Sequence, residues 1–102
     1  PIITTINWNN ELLINDFQLQ QNYPNPFNSS TIIKFSLSEN SITNINLYDI
    51  LGRRIYSENK YYKNGTYELK LDFSNKNLSS GIYFFSVKTK REFKTIKLLY
   101  LK

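Results

Sequence analysis

Residues 22–28 read Asn22-Tyr23-Pro24-Asn25-Pro26-Phe27-Asn28, with two of the chain's three prolines set one residue apart between two aromatic rings. Proline holds φ at about −65° and pushes the preceding residue out of the helical region, so Tyr23 and Asn25 are both kept extended. The pattern predicts a stiff, extended ribbon that lacks two N–H donors. Such a ribbon suits an edge strand or the entrance to a strand, not the middle of a sheet. It offers Tyr23 and Phe27 as anchors for a core.

Downstream of the ribbon the chain reads as short alternating strands. Thr31, Ile33, Phe35 and Leu37 alternate with Ile32, Lys34 and Ser36, and Glu39 to Ser41 make a turn. Thr43, Ile45 and Leu47 alternate with Asn44, Asn46 and Tyr48, until Leu51-Gly52-Arg53 breaks the run with Gly52 at a positive φ. Ile55 and Tyr56 begin the next strand, and Asn64-Gly65 is the strongest hairpin signal. Tyr67, Leu69, Leu71 and Phe73 face one way, with Glu68, Lys70 and Asp72 facing the other. Asn75 to Gly81 is a loop, and Ile82 to Val87 (IYFFSV) reads as a central strand buried on both faces. From Phe93 to Leu101, Lys97, Leu99 and Leu101 alternate with Ile96, Leu98 and Tyr100. The expectation is an all-β fold of about seven strands, spaced as in a sandwich or barrel, with no substantial helix.

Upstream, Phe17, Leu19 and Gln21 alternate with glutamines. Residues 1–16, rich in asparagine, read as a linker or the tail of a preceding domain, with two apolar patches, Ile2 to Ile6 and Leu12 to Ile14. The first patch is β-branched enough to form a strand, and Trp8 reads as packed. Residues 17–102 form the single domain that this length allows. Pro1 in place of a methionine reads as a piece of a longer polypeptide.

The net charge of +5 is unevenly placed. Residues 88–102 carry six bases against one acid, which equals the whole excess. A basic ending fits an acidic partner or simply a solvated strand face. No apolar run approaches the roughly 18 residues of a spanning helix.

Chemistry is sparse. Cysteine and histidine are absent, which removes disulfides, thiolate and imidazole metal sites and the commonest general base. Glu68 and Asp72 lie four apart on one strand face, roughly 13 Å, beyond the separation of about 5 to 10 Å that glycosidase carboxylates use. The glycines at 52, 65 and 81 are too dispersed for a phosphate loop, and Lys76 stands where a calcium loop from Asp72 needs a ligand. Gly81-Ile82-Tyr83-Phe84-Phe85 is similar to the aromatic strand of an RNA-binding sheet, but no base precedes it and the necessary helices are missing. No enzyme activity, cofactor, metal or nucleic acid is therefore expected. Three asparagine sequons match by composition, as fourteen asparagines make chance matches common.

Read together, four blocks from Phe17 to Lys102 resemble the type A C-terminal sorting domain of cargo proteins of the bacterial type IX (Por) secretion system. They are FQLQQNYPNPFNSSTIIKFSL, NLYDILGRRIY, LSSGIYFFSV and KTIKLLYLK, in family order and at family spacing. The resemblance implies an immunoglobulin-like β-sandwich of seven strands. It implies an address that carries an upstream passenger from the periplasm of a Gram-negative bacterium through an outer-membrane translocon served by shuttle proteins. A sortase-like peptidase then often removes the domain and attaches the cargo to the cell surface.

The family's motif positions are Tyr23, Pro24, Asn25, Pro26, Phe27 and Asn28, then Tyr48, Asp49, Gly52 and Arg53, then Gly81, Ile82 and Tyr83, with Lys97 and Lys102 in the ending. Read for structure alone, Gly52 and Gly81 are turn residues and Asp49 pairs with Arg53 across its turn. Ser29 departs from the family's proline and Thr43 from its aliphatic. The terminus and its charge single out Lys97, Leu98, Leu99, Tyr100, Leu101 and Lys102 as the expected element for translocon recognition. The alternative is a retained structural or adhesive module in which residues 1–16 add a strand to a neighbouring subunit, a form of self-assembly.

Overall fold

A computed structural model describes residues 2–8 and 16–102 of the chain. The described residues form eight strands and no helix: β1 (Ile3–Trp8), β2 (Gln18–Leu19), β3 (Ser30–Leu37), β4 (Ser41–Asp49), β5 (Arg54–Tyr62), β6 (Gly65–Asp72), β7 (Gly81–Lys88) and β8 (Phe93–Tyr100). Two antiparallel sheets result, in the orders β1-β6-β3-β2 and β5-β4-β7-β8. They share one core, built from Ile33, Phe35, Leu37, Leu69 and Leu71 of the first and Ile45, Leu47, Phe85, Val87 and Leu98 of the second. The fold is the all-β sandwich that the alternation predicts. In β3 every second residue is buried without exception, as a side-chain period of two on a half-covered sheet demands.

The patch Ile2 to Ile6 contributes β1, which pairs with β6 from Ile3 opposite Leu71 to Trp8 opposite Thr66. The segment assigned in sequence to a neighbour's edge thus lies on the chain's own. The patch Leu12 to Ile14 and the side chain of Trp8 lie outside what the structure describes.

Two readings are corrected. Asn64-Gly65 is not a hairpin: among the described residues β5 pairs with β4 alone and β6 with β1 and β3, and the dipeptide carries the chain from one sheet to the other. Gly65 does take a positive φ of 148°, but in the crossing between the sheets and not in a hairpin. The hairpins close instead through Ile50 to Arg53 and through Thr89 to Glu92. Secondly, β7 is central, but only its inner row of Tyr83, Phe85 and Val87 belongs to the core; on the outer row Ile82 and Phe84 are half-buried.

Two of the three crossings between the sheets, those that lead into β6 and β7, are tied by a tyrosine. Tyr67 donates to Lys63 O at 2.7 Å and Tyr83 to Ser79 O at 2.6 Å, each hydroxyl reaching back four residues into the loop just traversed. A buried phenol thereby gains the partner it needs while its ring packs inward.

Candidate functional site

Strands β2 and β8 are edges of different sheets, and the proline ribbon runs between them. On the β2 side, Gln20 N donates to Lys34 O at 2.9 Å, and Tyr23 exchanges both backbone hydrogen bonds with Ile32 at 2.9 and 3.0 Å. On the β8 side, Phe27 N donates to Leu99 O at 3.0 Å and Leu101 N to Phe27 O at 2.9 Å. Between them the chain bends at Pro24, Asn25 and Pro26, so the ribbon read from the sequence as extended is in fact a corner; both of its X–Pro bonds are cis.

The corner is braced from inside. Asn22 is 3% exposed, and its Nδ2 donates to Pro24 O and to Thr31 Oγ1, both at 3.1 Å. Thr31 Oγ1 in turn donates to Pro24 O at 2.7 Å. Side chains also complete the edge of β8: Leu99 N donates to Asn25 Oδ1 at 3.0 Å, and Gln21 Nε2 to Lys97 O at 2.7 Å. The outward backbone groups from Lys97 O to Leu101 N are therefore occupied by the ribbon.

The two anchor rings part company at the corner. Phe27 is 2% exposed and lies in the core, as expected, whereas Tyr23 is 81% exposed. Directly opposed antiparallel residues point to the same face, and Tyr23 opposes Ile32, which lies on the outer row of β3. Phe27 bridges Tyr100, an inner residue of β8.

Around Phe27 assemble rings of the third and fourth blocks, Tyr83 and Tyr100, together with Phe73. Its centroid lies 5.0 Å from Phe73 and 5.2 Å from Tyr100, and Phe73 lies 5.1 Å from Tyr83 and 4.8 Å from Tyr100, mostly edge to face. Asp49 stands opposite Tyr83 in the ladder. Its carboxylate accepts from Leu51 N and Arg53 N, both at 2.9 Å, and from Arg53 Nε at 2.6 Å, and Gly52 turns with φ 83°. The expected Asp49–Arg53 pair is present. A residue from each of the four sequence blocks thus meets at one end of the sandwich: Phe27, Asp49, Tyr83 and Tyr100.

A model of the secretion system C-terminal sorting domain matches residues 21–101. The chain belongs to that family. It is a C-terminal sorting signal for type IX secretion cargo, acting with the secretion machinery on an upstream passenger that is exported through the outer membrane to the cell surface or beyond. Comparison with curated proteins and with solved structures gave no match.

The remaining motif residues of the sorting domain surround this end. Pro24, Asn25, Pro26, Asn28, Gly52 and Arg53 are exposed, and Tyr48, Gly81 and Ile82 half-buried. A groove of about 420 Å³ separates the Asp49 to Arg53 turn from residues 77–83, with Ile50 and Leu51 exposed on its rim. Lys102 N donates to Ser80 Oγ at 2.8 Å, which fixes the end of the chain beside Gly81.

Burial would raise the Asp49 carboxyl, but the hydrogen bonds from the Arg53 backbone and guanidinium outweigh it and hold the group below its ordinary value. Burial raises the Tyr83 phenol, and the negative charge of Asp49 adds to that.

The six residues of the ending divide by face. Leu98 and Tyr100 are core residues at 0% and 5% exposure, Leu99 is half-buried, and Lys97, Leu101 and Lys102 are exposed. The basic excess divides too: Lys88, Lys90 and Arg91 cluster at the β7–β8 hairpin, at the opposite end from Lys102. Sequence reasoning missed Gln21, Asn22 and Thr31 as the braces of the corner. Their only signal is a run of amide side chains beside a double proline, facing a threonine at an inward position.

Proposed function

We propose that the secretion machinery reads the outer surface of the terminal strand, Lys97, Leu99, Leu101 and Lys102, with Leu98 and Tyr100 as the inward anchors that hold that surface in place. In this reading the ribbon is a clamp that presents the strand, and the domain is an address and performs no catalysis. The readers are an outer-membrane translocon and its shuttle proteins, met from the periplasm of a Gram-negative bacterium, and a sortase-like peptidase acts afterwards on the delivered cargo. The observation that supports this is the occupied edge of β8. With Gln21, Asn25 and Phe27 bonded along it, the strand offers its side chains and not its backbone to a partner.

Deleting the six residues tests this poorly, because it also removes Leu98 and Tyr100 from the core. The sharper experiment exports a reporter fused to the sorting domain from a type IX host, carrying Lys97→Glu, Leu101→Ser and Lys102→Glu together. All three side chains are exposed, so the purified variant keeps its thermal midpoint within a few degrees. Export is expected to fall at least tenfold while periplasmic reporter accumulates. Normal export would overturn the assignment.

A further inference from the structure

The family match begins at residue 21, and within residues 21–101 strand β6 is bordered only by β3. Its other edge is covered by β1, which comes from outside the match. That edge alternates as a strand-acceptor site should, with Leu69 and Leu71 facing the core and Lys70 exposed between them. Six consecutive residues of β1 oppose it without a register shift, and Asp72 N donates to Ile2 O at 2.9 Å just beyond the strand. Ile2 and Ile3 are 8% and 6% exposed and close the core over Leu71.

We infer that the open edge of β6 is a binding site for an extended peptide and that Ile2–Trp8 is its ligand, held in the same chain but separable from the sorting fold. The chemistry that recognises the ligand is ladder hydrogen bonding along β6 together with an apolar pair at its N-terminal end. An unpaired edge of this length otherwise invites other strands, and the covering strand removes that hazard. The strand also has a direction. Ile3 lies opposite Leu71, so the strand enters the sandwich at the end where Phe27, Tyr83 and Tyr100 meet, on the lateral edge away from β2 and β8.

The full chain, with a protease site placed between residues 9 and 15, is cut in its folded state and passed over a gel-filtration column at micromolar concentration. The short fragment is expected to co-elute with the remainder and to be displaced overnight by an excess of synthetic peptide 1–8. An Ile3→Asp peptide is expected to compete about tenfold less well or worse, from the lost burial of one isoleucine. In the uncut chain, Thr4→Cys with Lys70→Cys is expected to form an intrachain disulfide, since these residues are register partners and the chain has no other cysteine. A fragment that elutes apart from a remainder that keeps its β-type circular dichroism would overturn the site. A remainder that unfolds when stripped, or a fragment that no peptide displaces, would show that the strand is an integral part of the fold and overturn its separability. A disulfide formed only between chains would assign the edge to a second copy instead.

Discussion

At the residue scale the two rings of the proline ribbon have opposite fates, and the difference is measurable. Phe27 sits within about 5 Å of two other rings in a fully buried cluster. Phe27→Ala is expected to cost about 3 to 5 kcal/mol, the usual range for emptying a core site of this size. Tyr23→Ala, at an exposed position, is expected to stay within about 0.5 kcal/mol. Asn22→Ala falls between them at about 1 to 3 kcal/mol, because it takes a donor from the buried Thr31 hydroxyl and from the part-buried Pro24 carbonyl. Thermal midpoints rank the three, at roughly 4 to 8 °C per kcal/mol for a domain of this size. A Tyr23→Ala chain as destabilised as Phe27→Ala would mean that the Tyr23 ring packs inward and that the corner does not turn it to solvent. The motif marked both rings as anchors, which holds for Phe27 and fails for Tyr23, since two prolines one residue apart say that the chain is constrained and not to which face each ring turns.

At the element scale the strands were legible and their partners were not. Alternation in β3, β4, β6 and β8 marks the buried row directly, because a sheet with one covered face permits only a period of two. Pairing depends on contacts far apart in sequence, which no local pattern encodes. Asn64-Gly65 shows the failure: its dihedral preference is real, but the chain spends it on a crossing between sheets. The clamp on β8 was illegible for the same reason, as Asn25 and Leu99 are 74 residues apart. It makes a local prediction. In an antiparallel strand alternate residues direct their backbone groups to opposite neighbours, so Leu99 and Leu101 face the ribbon while Leu98 and Tyr100 face β7. Asn25→Ala is expected to speed amide exchange at Leu99 at least tenfold and leave Leu98 and Tyr100 protected, as read by hydrogen exchange. Uniform loss of protection along β8 would show that Asn25 supports the whole strand and not one bond of its edge.

At the scale of the whole molecule, both ends of the sandwich are sealed by buried tyrosines, while among the described residues the carboxyls with a resolved shift, Asp49 and Asp72, lie at the motif end. Hydrogen bonds from Ser74 hold Asp72 below its ordinary value, as those from Arg53 hold Asp49. Folding therefore favours their ionised forms, a contribution complete above the ordinary carboxylate value of about 3.9 and lost as the pH falls through the lower folded values. Burial, with Glu58 adding at Tyr56 and Asp49 at Tyr83, raises Tyr56, Tyr67 and Tyr83. Folding favours the neutral phenols, a contribution complete below about 10 and lost as the pH rises through the folded values. With no histidine in the chain, no side chain ordinarily titrates between these limits. The thermal midpoint is expected to be flat from about pH 5 to 9 and to fall on either side. Asp49→Asn keeps the turn's shape but removes one titrating group, so it should flatten the acid limb. It should also make the alkaline limb slightly shallower, because Tyr83 loses a negative charge that raises its folded value and so narrows the gap to its unfolded one. An Asp49→Asn chain whose acid limb matches that of the parent would mean that the Asp49 turn contributes nothing to the pH dependence of the fold, and that the motif end is held by its aromatic cluster alone.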